Sequence, residues 1–222
     1  MTFDPKLSVL PAAQRAVWPE LAGVPRHFVL YGGTAVALHY GHRQSVDFDF
    51  FSNQPIDPNE LLQSLPLLKG AKPIQISSDT LTVELTRGEP VKVQFIGALP
   101  YRRVADPWFT SDMVLQMASP LDLLASKLRT IWTRSQAKDF LDIDELLRQG
   151  VGLKNGLGAA YAVREGFNSH ISLRALGYFE DGDLPSLPQS VKDRLVKAVN
   201  SILGDPIPEY QPLPGGLVPG ET

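Results

Sequence analysis

Two aspartates, Asp47 and Asp49, stand on either side of one aromatic in "SVDFDFF", and a glycine pair, Gly32 and Gly33, precedes them with 13 residues between Gly33 and Asp47. In an extended strand, residues two apart project to one face, so both carboxylates share one small volume while Val46, Phe48 and Phe50 turn away. Two anions side by side in a partly buried place repel each other unless a cation neutralises them. With no cysteine in the chain, a metal must rest on oxygen or imidazole ligands. Mg2+, or Mn2+ in its place, commonly uses one or two carboxylates together with water and substrate phosphates, which this pair would provide. His39 and His42 lack zinc-type spacing and read as packing or loop residues.

These residues need a particular frame. "HFVLYGG" reads as a short buried strand ending at the glycines, "TAVALHYG" as a helix, and "VDFDFF" as a second strand. Glycines between a strand and a helix let the backbone approach a ligand closely and leave amides at the helix N-terminus that suit an anion. Thr34 adds a hydroxyl there. Phosphates gripped by the amides of Gly32 to Thr34, and by a metal on Asp47 and Asp49, make the outline of a nucleoside triphosphate site. Taken singly, a glycine turn is usually only a turn and an Asp-x-Asp often a solvated strand end. Their coupling in a strand, helix, strand context favours the functional reading.

The surrounding elements are expected as follows. Residues 8–22 place Leu10, Val17 and Leu21 at near-helical spacing, and residues 57–68 form another helix after Pro58. "TLTVELT" and "VKVQFIG" flank the turn-like "RGEP" as a hairpin. From Ser119, an N-cap followed by Pro120 and Asp122, the chain turns mainly helical: "SPLDLLASKLRTIWTR", then "KDFLDIDELLRQG" closed by Gly150, then an amphipathic stripe of Val191, Leu195, Val199 and Ile202. Lys127 and Arg134 are seven residues apart, two helical turns, and are expected on one face, where they either reach phosphates or remain solvated charges. Lys138 and Asp142 read as an i,i+4 pair. Arg102 and Arg103 read as a solvated pair, and Trp108 and Trp132 as packed aromatics.

The motifs, in order, resemble the AbiEii/AbiGii toxin family of nucleotidyltransferases within the DNA polymerase β-like superfamily. "GGTAVALHYGHRQSVDFDFF" is similar to its first motif, including Arg43 and Ser45 ahead of the aspartates. "KLRTIWTR", through Lys127 and Arg134, resembles the second, and "KDFLD", through Lys138, Asp139 and Asp142, the third. The resemblance covers most of residues 28–150. It implies an α+β fold, a mixed nucleotidyltransferase sheet flanked by helices and followed by a helical lobe. It also implies a magnesium-dependent reaction with an NTP, a toxin role paired with an antitoxin, and in some relatives tRNA as acceptor. Carried onto this chain, Asp47 and Asp49 hold the metal. Lys127 and Asp139 join them as catalytic residues, and Gly32, Gly33, Thr34, Arg43, Ser45, Lys127 and Arg134 bind nucleotide. The third carboxylate of the superfamily has its counterpart at Gln94 in "VKVQFIG". Glu84 on the preceding strand is a substitute if the turn brings it to the right face, and a four-residue "RGEP" turn pairs it opposite Val93.

The 222 residues, with a formal net charge of −3, 43% hydrophobic and 20% charged, fit one sizeable core and a smaller lobe. The expected division is 1–118 for the nucleotidyltransferase core, 119–204 for the helical lobe and 205–222 for a Pro/Gly-rich tail. The net charge does not argue for a general nucleic-acid binder, though it leaves room for a local basic patch that handles phosphates, and no apolar run approaches membrane-spanning length. With an early acid and no apolar leader at the amino terminus, the expected location is cytoplasmic. Two other readings stay open: transfer to a small molecule such as an aminoglycoside or sugar, and a degenerate module that binds nucleotide or protein without turnover.

Overall fold

The computed structural model describes residues 1–219. Its described residues divide into two units, one formed by Met1–Tyr101, Asp106–Ser119 and residues 214–219, the other by Arg102–Ala105 and Pro120–Leu213.

The first unit is built on an eight-stranded mixed sheet. In chain order its elements are β1 (Thr2–Phe3), α1 (Ala12–Val17), β2 (Val29–Tyr31), α2 (Gly32–Tyr40), β3 (Phe48–Phe51), α3 (Pro58–Ser64), β4 (Lys72–Ser77), β5 (Thr80–Arg87), β6 (Glu89–Ile96), β7 (Trp108–Thr110) and β8 (Gln116–Met117). The strands lie in the order β1-β7-β8-β2-β3-β6-β5-β4, with β3 parallel to β6 and antiparallel to β2. Period-2 burial explains the core: Leu81, Val83 and Leu85 of β5 and Val91, Val93 and Phe95 of β6 are fully buried, and Phe50 of β3 stacks on Phe95 at 5.2 Å. α1 packs against β5 and β6, and α2 against β2 and β3.

The expected leading helix is present as α1 continued by a 3-10 turn over Trp18–Gly23. The helix expected over 57–68 stops at Ser64 and gives way to a 3-10 turn at Pro66–Leu68, because Pro66 cannot continue the α-helical hydrogen bonding. Strands β1, β4, β7 and β8 carried no sequence signal. Three of them are only two or three residues long, too short for alternation to register. The β5–β6 hairpin forms, but one residue out of the expected register. It pivots tightly on Gly88, whose φ of +91° needs glycine, so Arg87 pairs with Glu89 and Glu84 faces Lys92 rather than Val93.

The second unit is helical: α4 (Pro120–Thr130), α5 (Ala137–Arg148), α6 (Leu153–Val163), α7 (Ser169–Leu176) and α8 (Gln189–Asn200). α4 starts directly after Ser119, and its Asp122 accepts the backbone N–H groups of Val104 and Ala105 at 2.9 and 3.2 Å. α6, "LKNGLGAAYAV", lets its neighbours come close. A Cβ on Gly156 would meet Leu124 Cγ at 2.6 Å, and one on Gly158 would collide with the Pro208 carbonyl. The Pro/Gly-rich stretch up to Leu213 therefore lies in this unit, along α6, while Leu217 is buried in the first unit and its N–H is held by Asn53 Oδ1.

Candidate active site

In the first unit the paired aspartates sit where β3 begins. β3 spans Phe48–Phe51, so Asp47 immediately precedes it and Asp49 lies within it. Phe48 and Phe50 are fully buried, while Asp47 and Asp49 are part-exposed, as alternation requires. Asp49 is in register with Tyr31 of β2 on one side and with Gln94 of β6 on the other. It therefore faces the point where β2 ends and α2 starts. Gly32 opens α2 with φ +74°, and a Cβ built there would lie 2.6 Å from Asp49 Oδ2. Glycine is required twice over, for the left-handed backbone and for the room that the carboxylate occupies.

Thr34 is 1% exposed. Its hydroxyl is bonded to the Asp47 carbonyl, which can only accept, and shares a hydrogen bond with the Ser45 hydroxyl at 2.8 Å. Thr34 and Ser45 thus lock the segment leading into β3 onto α2. Gln14 supports the same segment by donating to the Val46 carbonyl at 3.1 Å. Arg43 is part-exposed and donates to the Gln44 carbonyl at 2.8 Å.

The third-carboxylate position is Gln94, alongside Asp49 on the parallel neighbour, and its Nε2 donates to Thr82 Oγ1 at 3.0 Å. Glu84 lies two residues from Thr82 on the same face of the sheet. Among the described residues, no group of three or more His, Asp or Glu side chains converges on a metal position. His39 is buried in α2, stacked on Phe3 at 4.0 Å, with Nε2 3.3 Å from the Ala118 carbonyl. Burial pushes its pKa down to about 4, against a smaller opposing effect of the Ala118 hydrogen bond.

In the second unit the predicted cations and acids form one ion cluster. Lys127 Nζ lies 2.7 Å from Asp139 Oδ1 and 2.7 Å from Asp142 Oδ2, with Lys127 4% exposed and both carboxylates fully buried. Arg134 grips Asp139 through two nitrogens, Nε at 2.7 Å and Nη2 at 2.9 Å, and stays 43% exposed. The expectation that Lys127 and Arg134 share a helix face does not hold, because α4 ends at Thr130 and Arg134 lies in the connection to α5. What joins them is Asp139. Nor does Asp142 pair with Lys138 as the i,i+4 spacing predicted, since it turns inward to Lys127 while Lys138 is exposed. Burial by itself would raise the Asp139 pKa, but the Arg134 hydrogen bonds and the Lys127 charge outweigh it and hold the carboxyl below its ordinary range. An acid held anionic in this way orients and charges its partners more readily than it accepts a proton.

The model of the nucleotidyl transferase AbiEii toxin family, a type IV toxin–antitoxin system, matches residues 20–210. The chain belongs to that family. This AbiEii-family protein is accordingly a nucleotidyltransferase of a toxin–antitoxin system, with a nucleotide substrate and a cognate antitoxin. It is 31% identical over 162 residues to an uncharacterized protein of Aquifex aeolicus (strain VF5), a match covering 72% of this chain and 77% of the other. Its fold resembles that of a protein of H. pylori assigned as a nucleotidyltransferase, with a TM-score of 0.53, 17% identity, and coverage of 86% of this chain and 91% of the other. MenT4, a nucleotidyltransferase toxin of Mycobacterium tuberculosis H37Rv, matches 86% of this chain and 82% of its own at 14% identity and a TM-score of 0.49. Among the described residues, no helix is long and apolar enough to cross a membrane.

Proposed function

We propose that this protein, as a cytoplasmic toxin, transfers a nucleoside monophosphate from an NTP to an acceptor hydroxyl, which attacks the α-phosphate as the bond to the β-phosphate breaks and pyrophosphate leaves, with tRNA the first acceptor to test. The observation that carries the proposal is the placement of Asp49 against Gly32, which puts part-exposed carboxylates beside the opening turn of α2. The donor set fits a hard divalent cation. Asp47 and Asp49 offer carboxylate oxygens, and a Mg2+ or Mn2+ ion taking only these two leaves its other positions for water and phosphate oxygens. Such an ion, when bound, screens and polarises phosphate oxygens.

The chain's own residues supply the rest. Gly32 and Gly33 present backbone rather than side chain to an anion at the start of α2, and the helix dipole favours negative charge there. Thr34 and Ser45 act through position, holding Asp47 in place. Arg43, on the same segment, is a guanidinium for phosphate oxygens. Arg134, bidentate on Asp139 and still part-exposed, holds a fixed guanidinium charge at the surface of the second unit, of the kind that suits phosphate. Lys127 neutralises Asp139 and Asp142 inside the second unit and so keeps Asp139 in place to hold the Arg134 guanidinium. Gln94 beside Asp49 adds an amide oxygen but no charge, so the acceptor hydroxyl loses its proton to solvent or to Asp47 or Asp49 rather than to a third carboxylate.

The test is incubation with labelled NTPs, Mg2+ and total tRNA. Wild-type protein should label RNA and Asp49→Ala should not. Equal labelling by that variant overturns the proposal, and nucleotide binding without labelling of any acceptor would identify a non-catalytic binder.

A further inference from the structure

The second unit contains a cleft of about 420 Å³ that the ion cluster does not use. One wall is Ile131, Trp132 and Ser135 at the end of α4, another is Ile171, Arg174 and Tyr178 along α7, and Phe140 of α5 closes it. The Trp132 indole is fixed: Nε1 donates to Ser172 Oγ at 2.6 Å, Ser172 donates onward to the Leu128 carbonyl at 2.7 Å, and the ring stacks on Phe167 at 5.0 Å. The lip that carries Asp181 is fixed as well. Gly182, at φ +57°, lies so close to the Ser135 carbonyl that a Cβ would collide with it, and Asp183 accepts the Ala137 N–H at 2.6 Å at the head of α5. The cleft is therefore preformed.

Its chemistry is that of a planar, amphipathic guest. Ile171 and Tyr178 are 45% and 49% exposed, so the cleft wall offers apolar and aromatic surface to solvent. Arg174 and Asp181 both line the cleft, and among the described residues neither side chain makes a hydrogen bond or an ion pair. Ser135 and Phe140 directly follow Arg134 and Asp139 in sequence, which sets the cleft at the foot of the ion cluster. Its volume suits one nucleoside rather than a folded partner.

We infer that this cleft binds a nucleobase, stacked against Tyr178, with Arg174 and Asp181 reading its edge. The identity of the guest rests on the nucleotide chemistry proposed above. A guanidinium only donates and a carboxylate only accepts. Adenine, cytosine and guanine present an exocyclic amino donor to Asp181, whereas uracil presents only its ring N3–H, flanked by two carbonyls that the carboxylate repels. The cleft thus selects amino-bearing bases against uracil, whether the base belongs to the incoming triphosphate or to the acceptor RNA.

Calorimetric titration in EDTA with ATP, GTP, CTP and UTP, and separately with a short single-stranded RNA, separates these sources. Tyr178→Ala should weaken binding about tenfold for all bases, within the range for one stacked base. Asp181→Asn, whose amide can also donate, should raise uracil binding about fivefold relative to the others. Arg174→Ala should weaken every guest. An effect confined to the triphosphates assigns the cleft to the donor, and one confined to RNA assigns it to the acceptor. Unchanged affinity and unchanged base order in all three variants, for both ligand types, overturns the inference. All three side chains are exposed, so folding should be unaffected, as circular dichroism would verify. Asp49→Ala keeps this binding while abolishing transfer, so failure here and failure of the proposed reaction are read separately.

Discussion

The carboxylate of Asp49 occupies the space that a side chain on Gly32 would need, with Oδ2 2.6 Å from the position of the missing Cβ. The glycine motif and the aspartate motif are thus one steric unit. Any residue other than glycine at position 32 pushes against the group proposed to hold the metal.

Gly32→Ala is therefore expected to affect activity more than folding. The left-handed φ costs an alanine roughly 1–2 kcal/mol, and Asp49 must rotate away. Transfer should fall at least tenfold while the protein still unfolds cooperatively, measured by a labelled-nucleotide assay beside a thermal melt. Full activity in Gly32→Ala would show that the position of Asp49 is unimportant.

Lys127→Met should strongly destabilise the second unit. It removes the cation shared by Asp139 and Asp142, both fully buried, and leaves Arg134 to hold Asp139; removal of one member of a buried ion pair costs about 3–5 kcal/mol. Urea denaturation at neutral pH checks the size. The loss should shrink as pH falls and the buried carboxyls become neutral.

Gln94→Glu tests the missing carboxylate directly. Position 94 is paired with Asp49 across β3 and β6, so a glutamate there adds a third anion to the site. Without metal the variant should be less stable than wild type through repulsion, and with Mn2+ it should bind the ion more tightly. Titration calorimetry with and without metal reads both changes, and unchanged metal affinity would argue that no cation sits at Asp49.

His39 predicts an acid-sensitive fold. Its folded pKa is lowered from 6.5 to about 4 by burial, so between those values the unfolded chain binds a proton that the folded chain does not. The stability that comes from keeping this ring neutral is present above pH 6.5 and is lost as pH falls toward 4, amounting to about 3 kcal/mol. Denaturant midpoints across that range should show it, and His39→Phe should flatten that part of the profile.

The sequence alone determined the local elements and the chemistry on them. Alternating Phe48 and Phe50 put Asp47 and Asp49 on the opposite face, and the glycine pair marks the point where β2 gives way to α2. These are short-range or period-2 consequences of residue type. Tertiary structure decided what spacing could not. A tight pivot at Gly88 fixed the hairpin register and so the partner of Glu84. The end of α4 at Thr130 took Arg134 off the helix, and packing of α5 against α4 drew Asp139 and Asp142 onto Lys127. Thr34 reads as a phosphate hydroxyl in the linear chain, yet burial turns it into a strut for Asp47. Arg174 and Asp181 gave no signal at all, because a cleft exists only once helices distant in sequence have packed. Residue types prescribe which groups can do chemistry; whether a charge meets solvent, another charge or a substrate depends on what the rest of the fold places beside it.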